Sequence, residues 1–155
     1  MSKAKVMVTG SSGFCGGVII PKLRQLGYEV IGIDCIPGPD TDIVHDISQP
    51  FKIEDEVKAI IHLAAKLEHD RCSPDEYYET NVTGTRNVLE IAIKSNAFFL
   101  YVSTTAIYGC PTSPISEHTI ISPDGDYALT KYLGEKVCEK SKYANVSIVR
   151  PSVLI

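Results

Sequence analysis

Long apolar runs are missing from this sequence. The longest, such as Ala59-Ile60-Ile61-His62-Leu63-Ala64-Ala65, fall far short of the roughly 20 residues that cross a bilayer, so no membrane partner is expected. The first ten residues hold only a short apolar stretch closed by Gly10, and they read as a first strand instead of a leader. No run of Lys or Arg occurs. With a net charge of −4, the chain lacks an electrostatic footprint for nucleic acid. No two cysteines stand at Cys-x-x-Cys spacing. The five present (Cys15, Cys35, Cys72, Cys110 and Cys138) are an odd number, which argues against a disulfide framework or a zinc knuckle. Reduced thiols and a cytoplasmic location are the simpler expectation. Internal repeats and low-complexity tracts are absent as well.

What remains is an ordinary globular composition, 44% apolar and 22% charged. A chain of 155 residues suits one domain spanning 1–155. Strand and helix signals alternate along it. Lys5–Thr9 is a buried strand. Gly13 to about Leu26 has helical spacing and stops at Gly27. Pro21 either kinks this helix or marks an effective start near Ile20. Glu29–Asp34 is a second strand, and Ile43–Asp46 reads as a brief third. Gln49–Lys58 offers at most a short helix. Ala59–Ala65 is a fourth strand, apolar on both sides. Pro74–Ser95 reads as one long helix with Pro74 at its first position. Ala97–Ser103 is a strand, 108–125 a long loop, Asp126 to about Lys142 a helix, and Val146–Arg150 the last strand. Alternation of this kind predicts an α/β fold, a doubly wound parallel sheet with helices on both faces.

Gly10-Ser11-Ser12-Gly13-Phe14-Cys15-Gly16 falls between the first strand and the first helix. Glycines there let the backbone turn tightly and approach a pyrophosphate, whose charge then sits against helix N–H groups. Asp34 ends the second strand, where a carboxylate can bind an adenosine ribose. Asp34 repels a 2′-phosphate and Cys35 is no arginine, so NAD is favoured over NADP.

Tyr127 and Lys131 lie one turn apart on a helix face. A neighbouring ammonium and a positive nicotinamide ring would lower the phenol pKa from about 10 and make it a usable base. Tyr132 and Lys136 repeat the spacing on a different face and read as surface or packing residues. Tyr127 is preferred because it opens its helix beside the long loop, at the sheet edge where ligands of such folds bind. His45, His62, His69 and His118 share no spacing that suggests catalysis. Residues 68–72 read as a solvated loop, and no metal is expected.

Taken together, these residues resemble the extended short-chain dehydrogenase/reductase superfamily, in its NAD-dependent epimerase/dehydratase branch. The likeness runs from about Lys5 to Pro151. It takes in the glycine loop, Asp34, Asp46-Ile47, His62-Leu63-Ala64-Ala65, Asn81-Val82-Thr83-Gly84-Thr85, Val102 to Gly109, Glu117, Pro123, Tyr127, Lys131 and Arg150-Pro151. The resemblance implies a Rossmann-type domain. It implies NAD held by Gly10, Ser12, Gly13, Phe14, Cys15, Gly16, Asp34, Asp46, Ile47, Leu63, Ala64, Ala65, Asn81, Ser103, Tyr127, Lys131 and Pro151. It further implies Tyr127 as general base, Lys131 holding the nicotinamide ribose and tuning Tyr127, and Thr104 (with Thr105 as fallback) binding the reacting substrate oxygen. The implied substrate is a nucleotide sugar. Dehydratases of the family carry an Asp-Glu pair where this chain has Thr105 and Ala106, which favours an epimerase or a dehydrogenase/reductase.

The chain departs from the family at two places. Only Cys35–Asp42 separate the second and third strands, too few residues for the usual crossover helix. A bare loop makes the crossing, or the third strand is rudimentary. The sequence also stops at Ile155, where family members commonly run about twice as far. That leaves three alternatives: a fragment, a natural short form completed by a partner chain, or an NAD-binding module without turnover. The apolar ending 146–155 is expected near a sheet edge, where it would favour a homo-oligomer.

Overall fold

The computed structural model describes residues 4–112 and 114–152. Ser113, in the loop expected at 108–125, lies outside the described residues, as do residues 1–3 and the tip of the apolar ending, 153–155.

Six parallel strands build one sheet, in the order β3-β2-β1-β4-β5-β6. They are β1 (Lys5–Thr9), β2 (Glu29–Asp34), β3 (Ile43–Val44), β4 (Ala59–His62), β5 (Phe98–Val102) and β6 (Val146–Val149). The order reverses between β1 and β4, which opens a crevice at the strands' C-terminal ends. The helices are α1 (Phe14–Gln25), α2 (Pro74–Tyr78), α3 (Thr85–Ser95) and α4 (Gly125–Lys140). The expected doubly wound fold is therefore present.

Its layers are unequal. Met7, Ile31, Ile33, Ile60, Phe99 and Tyr101 point to one face, where Val88, Leu89, Ile91 and Ala92 of α3 and Cys138 of α4 close a large core. On the other face Val6, Val8 and Val30 pack on Ile20 and Leu23 of α1, a much smaller core. By strand alternation Phe98, Leu100 and Val102 belong to this second face. Phe98 is 44% exposed, and Val149 beside Val102 in β6 is 42% exposed. So the expectation of helices on both faces holds over β1 and β2, whereas the apolar pleat of β4–β6 on the α1 side is only half covered.

Several local expectations are corrected. α1 begins at Phe14 and runs through Pro21, so it does not start near Ile20. No helix forms over 49–58, where Pro50 and scattered charges interrupt any apolar stripe, yet Val57 is fully buried. β4 ends at His62, because Leu63 turns away after donating its N–H to the Thr9 carbonyl, 3.2 Å. The helix expected over 74–95 keeps a continuous path but passes through a π-helical segment, Glu79–Gly84. Pro74 takes the first helical position as expected, and Ser73 before it and Glu76 after it form a reciprocal capping box. β6 stops at Val149, so Arg150 leaves the strand. The β2–β3 crossing is indeed a bare loop, and β3 is only two residues long, paired through Ile33–Ile43 and Asp34–Val44.

Candidate active site

The glycine loop is shaped by contacts that allow no side chain. Gly10 adopts φ +76°, and a Cβ there would lie 2.8 Å from the Ala64 nitrogen. A Cβ on Gly16 would lie 2.3 Å from the Gly10 carbonyl oxygen. Gly13 caps α1 without a side-chain hydrogen bond, and no acidic residue follows in the first turn. The first N–H groups of α1 thus remain available to an anion. Ser12, Gly13 and Phe14 around them are exposed, and Cys15 is half-buried.

At the end of β2 the Asp34 carboxylate accepts two backbone hydrogen bonds, from Ser12 to Oδ2 (2.9 Å) and from Ile36 to Oδ1 (3.0 Å). Asp46 and Ile47 follow β3. Asp46 Oδ1 accepts from the Ser48 N–H (2.9 Å), while Ile47 is buried against Gly84, at which a Cβ would come within 2.8 Å of the Ile47 side chain. Asn87 of α3 holds this segment by donating to the carbonyls of Ile47 (2.9 Å) and Ser48 (3.1 Å). Nothing in the sequence reading singled out Asn87. An Asn at the i+3 position from Gly84 was the available signal.

Behind Leu63, Ala64 and Ala65 runs a buried polar chain. His62 is fully buried, and burial with the nearby Lys131 ammonium pushes its imidazole down to about 3, so it is neutral. Thr85 donates its hydroxyl to the Asn81 carbonyl (2.7 Å), so it must accept from His62 Nε2 (3.0 Å). His62 Nδ1 therefore accepts from the Thr9 hydroxyl (2.6 Å), which in turn accepts from the Ala64 N–H (3.3 Å). Asn81 spans the next gap. Its amide pairs with Lys66 in both directions, accepting the Lys66 N–H (2.8 Å) and donating to the Lys66 carbonyl (3.1 Å), and it also donates to Thr130 on α4 (3.1 Å). The π segment places Asn81 where it ties the stretch after β4 to the helix bearing Tyr127.

Tyr127 is half-buried in the first turn of α4. Burial raises its phenol pKa, Glu68 adds to the rise, and the Thr104 hydroxyl facing it lowers it. Thr104 also caps the short turn after β5, accepting from the Ala106 N–H (3.1 Å), which leaves its own proton free to donate. The Lys131 residue is only 3% exposed. Its ammonium rests over the Tyr101 ring, 4.4 Å from the centroid, and burial pushes its pKa down to about 8. The sequence expectation that Lys131 lowers Tyr127 is therefore not what the resting site shows, because the ammonium is spent on an aromatic face. Tyr132 and Lys136 form an outer pair, with Lys136 bound to Glu139.

Ser103, at the end of β5, has a buried hydroxyl without a hydrogen-bond partner. It is the one such side-chain atom among the described residues. Pro151 lies alongside, its carbonyl accepting the Thr105 N–H (3.0 Å). Arg150 anchors that strand end through both oxygens of the fully buried Glu135 (2.9 and 2.7 Å) and donates to the Tyr108 hydroxyl (2.6 Å). A cavity of about 620 Å³ opens beside β6, lined in part by Thr105, Tyr108, Glu117 and Arg150. Neither Tyr127 nor the glycine loop is in its wall.

The family described as NAD dependent epimerase/dehydratase matches residues 6–155. The chain belongs to that family. Among its relatives, UDP-glucuronic acid decarboxylase 1 of Arabidopsis thaliana is 32% identical over 142 residues, which are 80% of this chain and 32% of that protein. A putative UDP-glucose 4-epimerase of Methanocaldococcus jannaschii is 30% identical over 149 residues, 84% of this chain and 48% of that one. A short-chain dehydrogenase/reductase superfamily protein from Agrobacterium tumefaciens, solved with bound NAD, superposes with a TM-score of 0.84 at 27% identity, over 94% of this chain and 48% of the other. The chain thus spans a third to a half of the length of these family members.

Proposed function

We propose that this chain is the dinucleotide-binding domain, 1–155, of an NAD-dependent enzyme of the family, acting on a nucleotide sugar as an epimerase or a related oxidoreductase. The observation that carries this reading is the Thr104 hydroxyl facing Tyr127, with Lys131 one turn further along the same helix, in a fold that also builds a glycine loop with no room for a Cβ. The nucleotide-sugar part is supported by the names of the two UDP-sugar enzymes above.

The residues present fit NAD. The cradle of Gly10 and Gly16 has no room for a Cβ, the N–H groups of α1 face out of it, and Ser103 keeps an unpartnered hydroxyl. Gly10, Ser12, Gly13, Phe14, Cys15 and Gly16 would hold the pyrophosphate, and Asp34 the adenosine ribose. Asp46, Ile47, Leu63, Ala64 and Ala65 would wall the adenine side. Asn81, Ser103, Lys131 and Pro151 would border the nicotinamide side. NAD bound there supplies a hydride acceptor.

This chain's residues do the proton chemistry. Thr104 donates a hydrogen bond to the reacting sugar oxygen, and Tyr127 as phenolate takes that oxygen's proton. With its pKa raised at rest, Tyr127 needs positive charge brought near it before it ionises at neutral pH. A Lys131 ammonium drawn off the Tyr101 ring toward the ribose would supply part of that charge. Thr105 and Ala106 offer no carboxyl acid to expel water, in keeping with epimerase or dehydrogenase chemistry over dehydration.

We further propose that the chain self-associates through its apolar ending, which begins at the edge strand β6, and that its five free cysteines suit the cytoplasm. A monomer by light scattering at micromolar concentration would count against the first of these.

Calorimetric titration with NAD⁺, repeated with a panel of nucleotide sugars, tests the main reading. Binding of NAD and of one sugar nucleotide supports a working site. Binding of NAD alone makes the chain a cofactor module, and no NAD binding overturns the reading. Where turnover is found, Tyr127→Phe is expected to abolish it and to leave NAD affinity nearly intact.

A further inference from the structure

The loop that replaces the crossover helix does more than join two strands. Residues 35–42 fold back onto the glycine loop and are fixed there by backbone contacts. Asp42 pairs with Gly32 twice, its N–H donating to the Gly32 carbonyl (2.8 Å) and its Oδ2 accepting the Gly32 N–H (2.8 Å). The Asp40 carbonyl lies where a Cβ of residue 32 would be, 1.8 Å away, so only glycine fits. Gly38 is pressed on Ser12 in the same way, its Cβ position lying 2.4 Å from Ser12 Oγ. Arg24 of α1 makes an ion pair with Asp40. The loop is thus preformed, and it presents one hydroxyl, that of Thr41, between the two serines of the glycine loop.

The hydroxyls there have a single direction of donation. Ser12 Oγ lies 2.8 Å from the Ile36 carbonyl, which can only accept, so Ser12 donates to it. Ser12 Oγ must then accept from Thr41 Oγ1 (2.7 Å), and Thr41 Oγ1 must accept from Ser11 Oγ (2.6 Å). This relay ends on the two residues that hold Asp34. Ser12 donates its N–H to one carboxylate oxygen and Ile36 donates its N–H to the other. A carboxylate has about four acceptor sites, so each oxygen keeps one for a ligand hydroxyl.

We propose that Thr41 is a positioning residue: its hydroxyl locks Ser12 to Ile36 and so sets the Asp34 carboxylate for the two hydroxyls of the adenosine ribose. This rests on the reading of the site as one for NAD. Thr41 acts through Asp34, so its contribution is to discrimination at the ribose 2′ position as well as to affinity.

The test is the ratio of NAD to NADP affinity, measured by calorimetry on the intact chain. Thr41→Val keeps the size of the side chain and leaves the backbone contacts at Gly32 and Gly38 in place. It removes the two hydrogen bonds of the Thr41 hydroxyl, with Ser11 and Ser12, and the loosened Asp34 is expected to cost about tenfold in NAD affinity. NADP affinity should fall less, because a loosened Asp34 repels a 2′-phosphate less well, so the ratio narrows. Thr41→Ser restores the ratio. Ser12→Ala, which breaks the relay in its middle, narrows it as Thr41→Val does and serves if that variant folds poorly. An unchanged ratio in Thr41→Val, an equal loss for both dinucleotides, or failure of Thr41→Ser to restore the ratio would overturn the proposal while NAD binding by the wild type stands. Wild-type protein that binds neither dinucleotide overturns the underlying reading as well.

Discussion

The hydroxyl of Tyr101 donates to the backbone carbonyl of Lys131 at 3.1 Å, and the ring of the same tyrosine lies 4.4 Å beneath the Lys131 ammonium. One residue of β5 thus grips both ends of one residue of α4. The grip fixes how α4 is rotated on the sheet, and so where Tyr127 faces. It requires that α4 approach closely, and Gly134 allows this. A Cβ at 134 would lie 2.2 Å from the Tyr101 hydroxyl oxygen.

Gly134→Ala is accordingly expected to destabilise the fold. Alanine favours a helix by about 1 kcal/mol over glycine. The clash with a buried, hydrogen-bonded phenol costs more, within the roughly 1–3 kcal/mol range of overpacked cores. Urea unfolding of the variant checks this, and a gain in stability would show that Tyr101 can move aside.

Lys131 carries a pH signature. Its pKa is about 8 in the folded chain against 10.5 for an unburied lysine. Below pH 8 it is charged in both states and the fold bears the full cost of burying that charge. Between pH 8 and 10.5 the folded form releases its proton first, so stability rises with pH across that window. Lys131→Met removes the dependence. The variant should be more stable than wild type at pH 7 by roughly 3 kcal/mol, with the difference shrinking toward pH 10.5. Chemical denaturation at several pH values measures the gap.

The placement of Tyr127 and Lys131 one turn apart on one helix was legible in the sequence because a one-turn spacing at the start of a helix survives in the chain as text. So were the glycine loop and Asp34, where local backbone demands select the residue. Lys131's burial was not legible, since α4 carries buried and exposed positions in no clean stripe, and its buried set includes Thr130, Lys131 and Glu135. The partnership of Glu135 with Arg150 depends on β6 lying beside β5, a relation between segments that no local pattern encodes. The π segment at 79–84 escaped for another reason. Ordinary helical periodicity flanks it on both sides, and one widened turn shifts the stripe without erasing it.

His62 should make the fold acid-sensitive. Its pKa is about 3 in the folded chain and 6.5 when unfolded. Its contribution is therefore complete above pH 6.5 and is lost as the pH falls toward 3, because the unfolded chain binds the proton first. Relative to His62→Gln, wild type should lose roughly 2 kcal/mol between pH 6.5 and 5. Parallel slopes for the two proteins would show that His62 is not held neutral.

Arg150→Met leaves the Glu135 carboxylate buried without its partner, and about 3–5 kcal/mol of stability should go with it. The double variant Glu135→Met with Arg150→Met removes both charges and should recover most of the loss. A thermal-unfolding double-mutant cycle measures the coupling, and additive losses would mean that the pair is not a unit.

The lopsided cover of the sheet reaches into the thermodynamics of the whole chain. In the single, unassociated chain Phe98 and Val149 are exposed and Leu100 is half-buried, so part of this apolar pleat meets water before unfolding. Unfolding therefore exposes less new apolar surface than it would in a sheet clad on both sides. The heat-capacity increment should fall below the usual 12–15 cal/mol/K per residue, or about 2 kcal/mol/K for a chain of this length. A smaller increment flattens the stability curve. The expected result, read by scanning calorimetry of the single chain, is a stability that changes little on cooling because of the surface left uncovered.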